Sequence, residues 1–177
     1  HNALTANTSG NRNTAVGRHA LTSNTVADDN VGVGYHALEQ NTTGGDNTAV
    51  GAYALDANTT ASANTAVGYI ALTSNTTGGN NTALGQQSLQ LNTTTSNNTA
   101  IGKDALRHFT AGNNTAIGYD ALQGASGSST GSNNVAIGYQ ALTSDTTGQL
   151  NIGIGVETLD ANTTGSYNVA VGKGAMG

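Results

Sequence analysis

Asn47 to Ala63 read NTAVGAYALDANTTASA, and the seventeen residues that follow, Asn64 to Asn80, read NTAVGYIALTSNTTGGN. The two stretches share the pentad NTAVG, an Ala-Leu pair and an Asn-Thr-Thr run, so the chain is built from a repeated unit. In both directions the pentad glycine returns, at Gly17, Gly34, Gly51, Gly68, Gly85, Gly102, Gly118, Gly138, Gly155 and Gly172, with spacings of 17, 17, 17, 17, 17, 16, 20, 17 and 17 residues. Four positions before each glycine stands an asparagine: Asn13, Asn30, Asn47, Asn64, Asn81, Asn98, Asn114, Asn134, Asn151 and Asn168. Four positions after it stands a leucine, from Leu21 to Leu159, with Met176 in the last unit. Residues 1–177 therefore read as one array of about ten 17-residue coils, incomplete at both ends, with a three-residue insertion near 123–133.

Each part of the unit has a local reading. In the pentad, Thr and the following Val, Ile or Leu alternate with Ala or Gly, which is the period-two pattern of a short strand. One face of that strand is bulky and the other nearly flat. The closing glycine suits a bend or a close backbone approach, the Asn-Thr-Thr-Gly run is turn chemistry, and the Ala-Leu pair is a second short strand or a bend. Two breakers per coil and the lack of a 3.6-residue apolar stripe disfavour helix. The fold class is all-β, a parallel β-solenoid. Stacking sets equivalent residues about 4.8 Å apart, so every column becomes a ladder. The ten pentad asparagines are expected to form a buried amide ladder, bonded to one another and to turn carbonyls. The leucines and the column from Val16 to Val171 are expected to form a thin apolar spine.

Composition removes several function classes. Only 8% of residues are charged, and the aromatic residues are six tyrosines and one phenylalanine, too few for a conventional globular core. The net charge is −5, and Arg12, Arg18, Lys103, Arg107 and Lys173 are scattered, so no basic stripe offers itself to nucleic acid. Cysteine is absent, which excludes disulfides and thiolate metal sites. No run of eighteen apolar residues exists to insert into a membrane. One coil buries too little to fold alone, and a lone solenoid with so thin a core is weakly held. The flat small-residue face of the strand is therefore read as a surface buried against identical chains. The start at His1 is neither a signal peptide nor an initiator, and no polar capping unit stands at either end, so the piece is expected to continue into further repeats or to stack end to end.

Candidate chemistry is sparse. His19 and His36 share a column in adjacent coils, as do Asp104 and Asp120, so each pair is placed to share a cation. With no third or fourth ligand column beside them, the reading preferred for both pairs is solvated side chains. No catalytic residue, metal ligand or cofactor is assigned, and the chain is read as a non-enzyme. Tyr35, Tyr69, Tyr119 and Tyr139 each follow a pentad glycine and are candidate surface contacts, either as a sparse stripe for stacking on sugars or as cover for the apolar spine. In the coil that is one residue short, Phe109 replaces the turn asparagine and is expected to fill a gap. The inserted GASGSSTGSN turn is read as a surface bulge, with a receptor contact as the other reading. Asn41, Asn58, Asn75 and Asn92 also stand in glycosylation sequons, which arise automatically from turn chemistry here.

The pentads NTAVG, NNVAIG and YNVAVG, followed by x-x-A, resemble the repeats of YadA-like trimeric autotransporter adhesin heads, and similar runs occur in phage tail fibres. The resemblance covers essentially the whole chain. It implies a left-handed parallel β-roll in an intertwined or side-by-side homotrimer, exposed on a cell or virion surface. The function expected is a structural or adhesive segment of an extracellular fibre. Its partners would be its own copies, in a trimer or an end-to-end filament, and a host-surface glycan or protein. The alternative is an ice-binding solenoid, because Asn-Thr-Thr supplies threonine ladders in most coils.

Overall fold

The computed structural model describes residues 2–127 and 129–177. Ten three-residue strands, from Thr14–Val16 to Val169–Val171, form a single parallel sheet whose order is the order of the chain. The molecule is a parallel β-solenoid. Equivalent residues pair directly: Thr48 with Thr65, Ala49 with Ala66, Val50 with Val67. The same columns hold across the short coil, where Thr99 pairs with Thr115, and across the long one, where Thr115 pairs with Val135. The strand register thus fixes the stack, and the turns absorb the missing and the extra residues. Backbone bonds also join the rungs elsewhere: the Leu38 N–H donates to the Ala54 carbonyl at 3.1 Å and the Thr42 N–H to that of Thr59 at 2.9 Å. Among the described residues no helix is long and apolar enough to cross a membrane.

The Ala-Leu pair is a corner and adds no second strand. Leu38 and Leu55 hold φ of 52° and 51°, in the left-handed region, and the leucines of the other rungs do the same. Two further non-glycine corners recur, at the column of His36 (φ 57°) and at that of Asp46 (φ 58°). The pentad glycine is needed for two separate reasons. Gly34 has a φ of +141°, and a Cβ built on it would lie 2.5 Å from the Gly51 carbonyl oxygen of the next rung.

The core reverses one expectation. Ala49, Ala66, Ala83 and Ala100 are fully buried beside Leu38, Leu55, Leu72 and Leu89, while Val16 is 58% exposed, Leu84 45% and Val171 69%. The small-residue face of the strand points inward and the bulky Val/Ile/Leu column points out. The reason is the width of a rung, because corner leucines already fill the interior opposite the strand. Where that face carries Gly32, the absent Cβ would stand 3.2 Å from Leu21 Cγ, so alanine is about the largest residue with room. Two exceptions in the alanine column that precedes the leucine are buried hydroxyls with partners: Ser88 Oγ donates to the Gly85 carbonyl and Thr158 Oγ1 to that of Gly172, at 2.9 and 2.7 Å.

Phe109 takes the place of a turn asparagine and is completely buried in the core. Gly124 makes room for it, since a Cβ there would come within 2.8 Å of the Phe109 ring. Beyond it the insertion is exposed at Ala125, Ser126 and Gly127 and returns to the stack where Ser129 pairs with Phe109.

Candidate functional site

The ten pentad asparagines form one continuous chain of hydrogen bonds. The Asn13 Oδ1 accepts the backbone N–H of Asn30 at 2.9 Å, the Asn30 Oδ1 accepts that of Asn47 at 3.0 Å, and the same link passes through Asn64, Asn81, Asn98, Asn114, Asn134 and Asn151 to Asn168. Meanwhile Nδ2 donates to a turn carbonyl of the next rung, as from Asn30 to Gly44 (2.9 Å) and from Asn47 to Ala61 (2.8 Å). Amide-to-amide bonds are the minor element here. They recur at each step of a second ladder, in residues the sequence reading treated as turn chemistry: Asn24, Asn41, Asn58, Asn75 and Asn92 each donate Nδ2 to the Oδ1 seventeen residues earlier, at 2.8–3.1 Å, and also to the carbonyl three residues on. These five side chains are fully buried, and the ladder ends where Phe109 interrupts it. The sequon asparagines Asn41, Asn58, Asn75 and Asn92 therefore have the nitrogen that would carry a glycan tied into the interior.

The other concentration of chemistry lies in three consecutive rungs near the N-terminal end. Left-handed corners place His19 and His36 one above the other, with ring centroids 4.9 Å apart. The residue after the corner leucine supplies Glu39 and, one rung on, Asp56. His36 Nδ1 contacts the Glu39 carboxylate, and His19 Nδ1 stands 3.7 Å from its other oxygen. One donor atom each from His36, Glu39 and Asp56 lie within 4.8 Å of one another, and all three residues are half-buried. Tyr53 stacks on His36 at 5.2 Å, and Tyr35 packs edge-on to both. Asp56 Oδ1 is buried without a hydrogen-bond partner. Burial, and then the charge of Glu39, push the Asp56 carboxyl up to about 6, against the opposing pull of His36. The expectation that no further ligand column accompanies the histidine pair is corrected here, because the Glu39–Asp56 column does. Its signal in the sequence was three-residue spacing between His36 and Glu39, repeated by Tyr53 and Asp56.

The aspartate pair behaves differently. Asp104 and Asp120 are buried, not solvated, and Asp104 is held by Lys103 and by Arg107, whose Nη1 is 3.4 Å away. The Gln123 amide donates to Asp120 at 2.9 Å, and burial followed by the Asp104 charge raises the Asp120 pKa. Local cations already answer this acidic pair. Tyr35, Tyr69, Tyr119 and Tyr139 are 38–52% exposed. Tyr119 and Tyr139 stack at 5.6 Å with Lys103 Nζ 5.0 Å from the Tyr119 ring, while Tyr35 sits beside the histidine cluster under Arg18. Ring contacts thus join Tyr119 to Tyr139 and Tyr35 to the histidine cluster, without linking these two groups to each other. Among the described residues no pocket indents the surface.

Fold and ladders together define a parallel β-solenoid of tandem 17-residue rungs whose polar interior is bonded from rung to rung. No family model, no curated protein and no solved structure matches the chain.

Proposed function

We propose that the chain is a structural and adhesive segment of an extracellular fibre, in which the solenoid packs against identical chains as a homotrimer on a cell or virion surface. The observation that carries the reading is the outward column of the strands. Val16, Val50, Leu84, Ile154 and Val171 are exposed, with the partly exposed Val33, Val67, Ile101, Ile117 and Ile137 between them, along the whole array. A contiguous apolar stripe of this length on a soluble surface marks a face meant to be covered. A copy of the same chain carries the same stripe at the same spacing, so side-by-side packing buries both stripes in register. The number three and the left-handed winding come from the resemblance of the pentads to trimeric adhesin heads. The tyrosine groups are available to a host glycan or protein partner.

Multi-angle light scattering on the purified chain tests this reading. Elongated trimers are expected, without thermal hysteresis in freezing solutions. Hysteresis with a monomeric mass would overturn the fibre in favour of an ice-binding solenoid, whose case rests on the threonines of the Asn-Thr-Thr turns, such as Thr42, Thr59 and Thr76. The hydroxyls of Thr25, Thr42, Thr59, Thr76 and Thr146 donate to the backbone carbonyls seventeen residues on, which ties up the donors that a lattice would use.

A further inference from the structure

We infer that His36, Glu39 and Asp56, with His19 as a further donor, form a binding site for a divalent transition cation of the zinc class that clamps three consecutive rungs together. Among the described residues this is the only group of three histidine or acidic side chains whose donor atoms converge. The donors come from different rungs: His19 from one, His36 and Glu39 from the next, Asp56 from the third. An ion held by them would bridge the stack across its long axis.

The donor chemistry selects the ion. Imidazole nitrogen together with carboxylate oxygen suits zinc, cobalt, nickel or copper, whereas calcium takes about six to eight oxygens that this corner does not offer. Charge balance points the same way. Two carboxylates lie half-buried together, and no Lys or Arg among the described residues pairs with either; Arg18, the cation beside the cluster, lies over the Tyr35 ring, 5.8 Å from its centre. One divalent ion with two carboxylates and neutral imidazoles is electrically neutral. The buried, unpartnered Asp56 Oδ1 is a lone pair that a bound ion would satisfy. Tyr53 and Tyr35 press on the His36 ring and fix its plane, the orienting role that outer groups take around metal ligands. Elsewhere the same two columns hold pairs such as Gln87 with Gln90 or Asp104 with Arg107, which offer no such set.

The test is calorimetric titration of the whole chain with zinc chloride alone at neutral pH, paired with thermal unfolding. One ion per chain and a higher Tm are expected. Glu39→Gln and Asp56→Asn should each weaken binding at least about tenfold and abolish the Tm rise, while His108→Gln, remote from the cluster, should leave both intact. Circular dichroism of the metal-free variants checks that they fold, and the visible spectrum of the cobalt(II)-loaded wild type reports nitrogen and oxygen ligation independently of any substitution. Absence of binding at millimolar zinc, binding undiminished in both acidic variants, or preference for calcium over zinc would each overturn the inference.

Discussion

At the scale of single residues, the unusual demand of this fold is its corners. Each rung but the last, where Gly174 takes one corner, turns at three non-glycine positions with φ near +55°, a conformation that costs an ordinary L-residue about 1–2 kcal/mol and suits asparagine best. The exposed corner column before the pentad asparagine obeys this in Asn80, Asn97, Asn113 and Asn133 but carries Ala63 at φ 59°. Ala63→Asn should therefore stabilise the chain by about 1 kcal/mol, read as a higher midpoint in urea unfolding. A second residue departs from its column inside the molecule: Asp145 stands where other rungs bury an asparagine, and burial raises its pKa despite the Gly148 N–H donated to it at 2.7 Å. A raised folded value means that the folded chain holds a proton the unfolded chain has already released. The stabilising contribution is complete below the ordinary carboxylate value near 3.9 and is lost as pH climbs through the folded value. Asp145→Asn should raise Tm at pH 7 and leave it unchanged at pH 3, as followed by circular dichroism.

At the scale of the rung, stability comes from polar groups bonded in line more than from apolar volume. Asn47 accepts the Asn64 N–H and donates to Ala61 and to Asn30, so Asn47→Ala leaves buried groups without partners and should cost about 3 kcal/mol. Asn13, half-buried at the first rung, should cost under about 1 kcal/mol when changed to alanine; equal losses from urea midpoints would contradict a ladder that strengthens inward. The rung and its period were plain in the sequence because ten glycines and ten asparagines recur in one register. The direction of the strand faces was not. Alternation says which residues share a face, but the side turned inward depends on how much space the corner leucines leave, and that is a property of the closed rung. The second asparagine ladder was hidden for a similar reason, since Asn-Thr-Thr serves an exposed turn equally well. The histidine–carboxylate cluster occurs once, so repetition gave no hint of it; Glu39 and Asp56 stand in a column that holds Thr, Gln and Arg in most other rungs, with Asp160 its one further acid.

At the scale of the whole molecule, backbone bonds join each rung to the next and the bulky column of the strands stays at the surface. The apolar column from Val16 to Val171 lies on the sheet, where the rungs are most regular and where an identical neighbour can match them one for one. Lysine at alternate rungs of this column would leave each chain folded, because the side chains already point to solvent, but would set like charges against each other in any packed trimer. Sedimentation equilibrium of the wild type and of the triple variant Val16→Lys, Val50→Lys, Leu84→Lys is the most direct measurement of whether this face joins the chains. The expected outcome is a wild-type mass about three times the 17.5 kDa of one chain and a folded, monomeric variant; a monomeric wild type, or a variant that still sediments as a trimer, would contradict it.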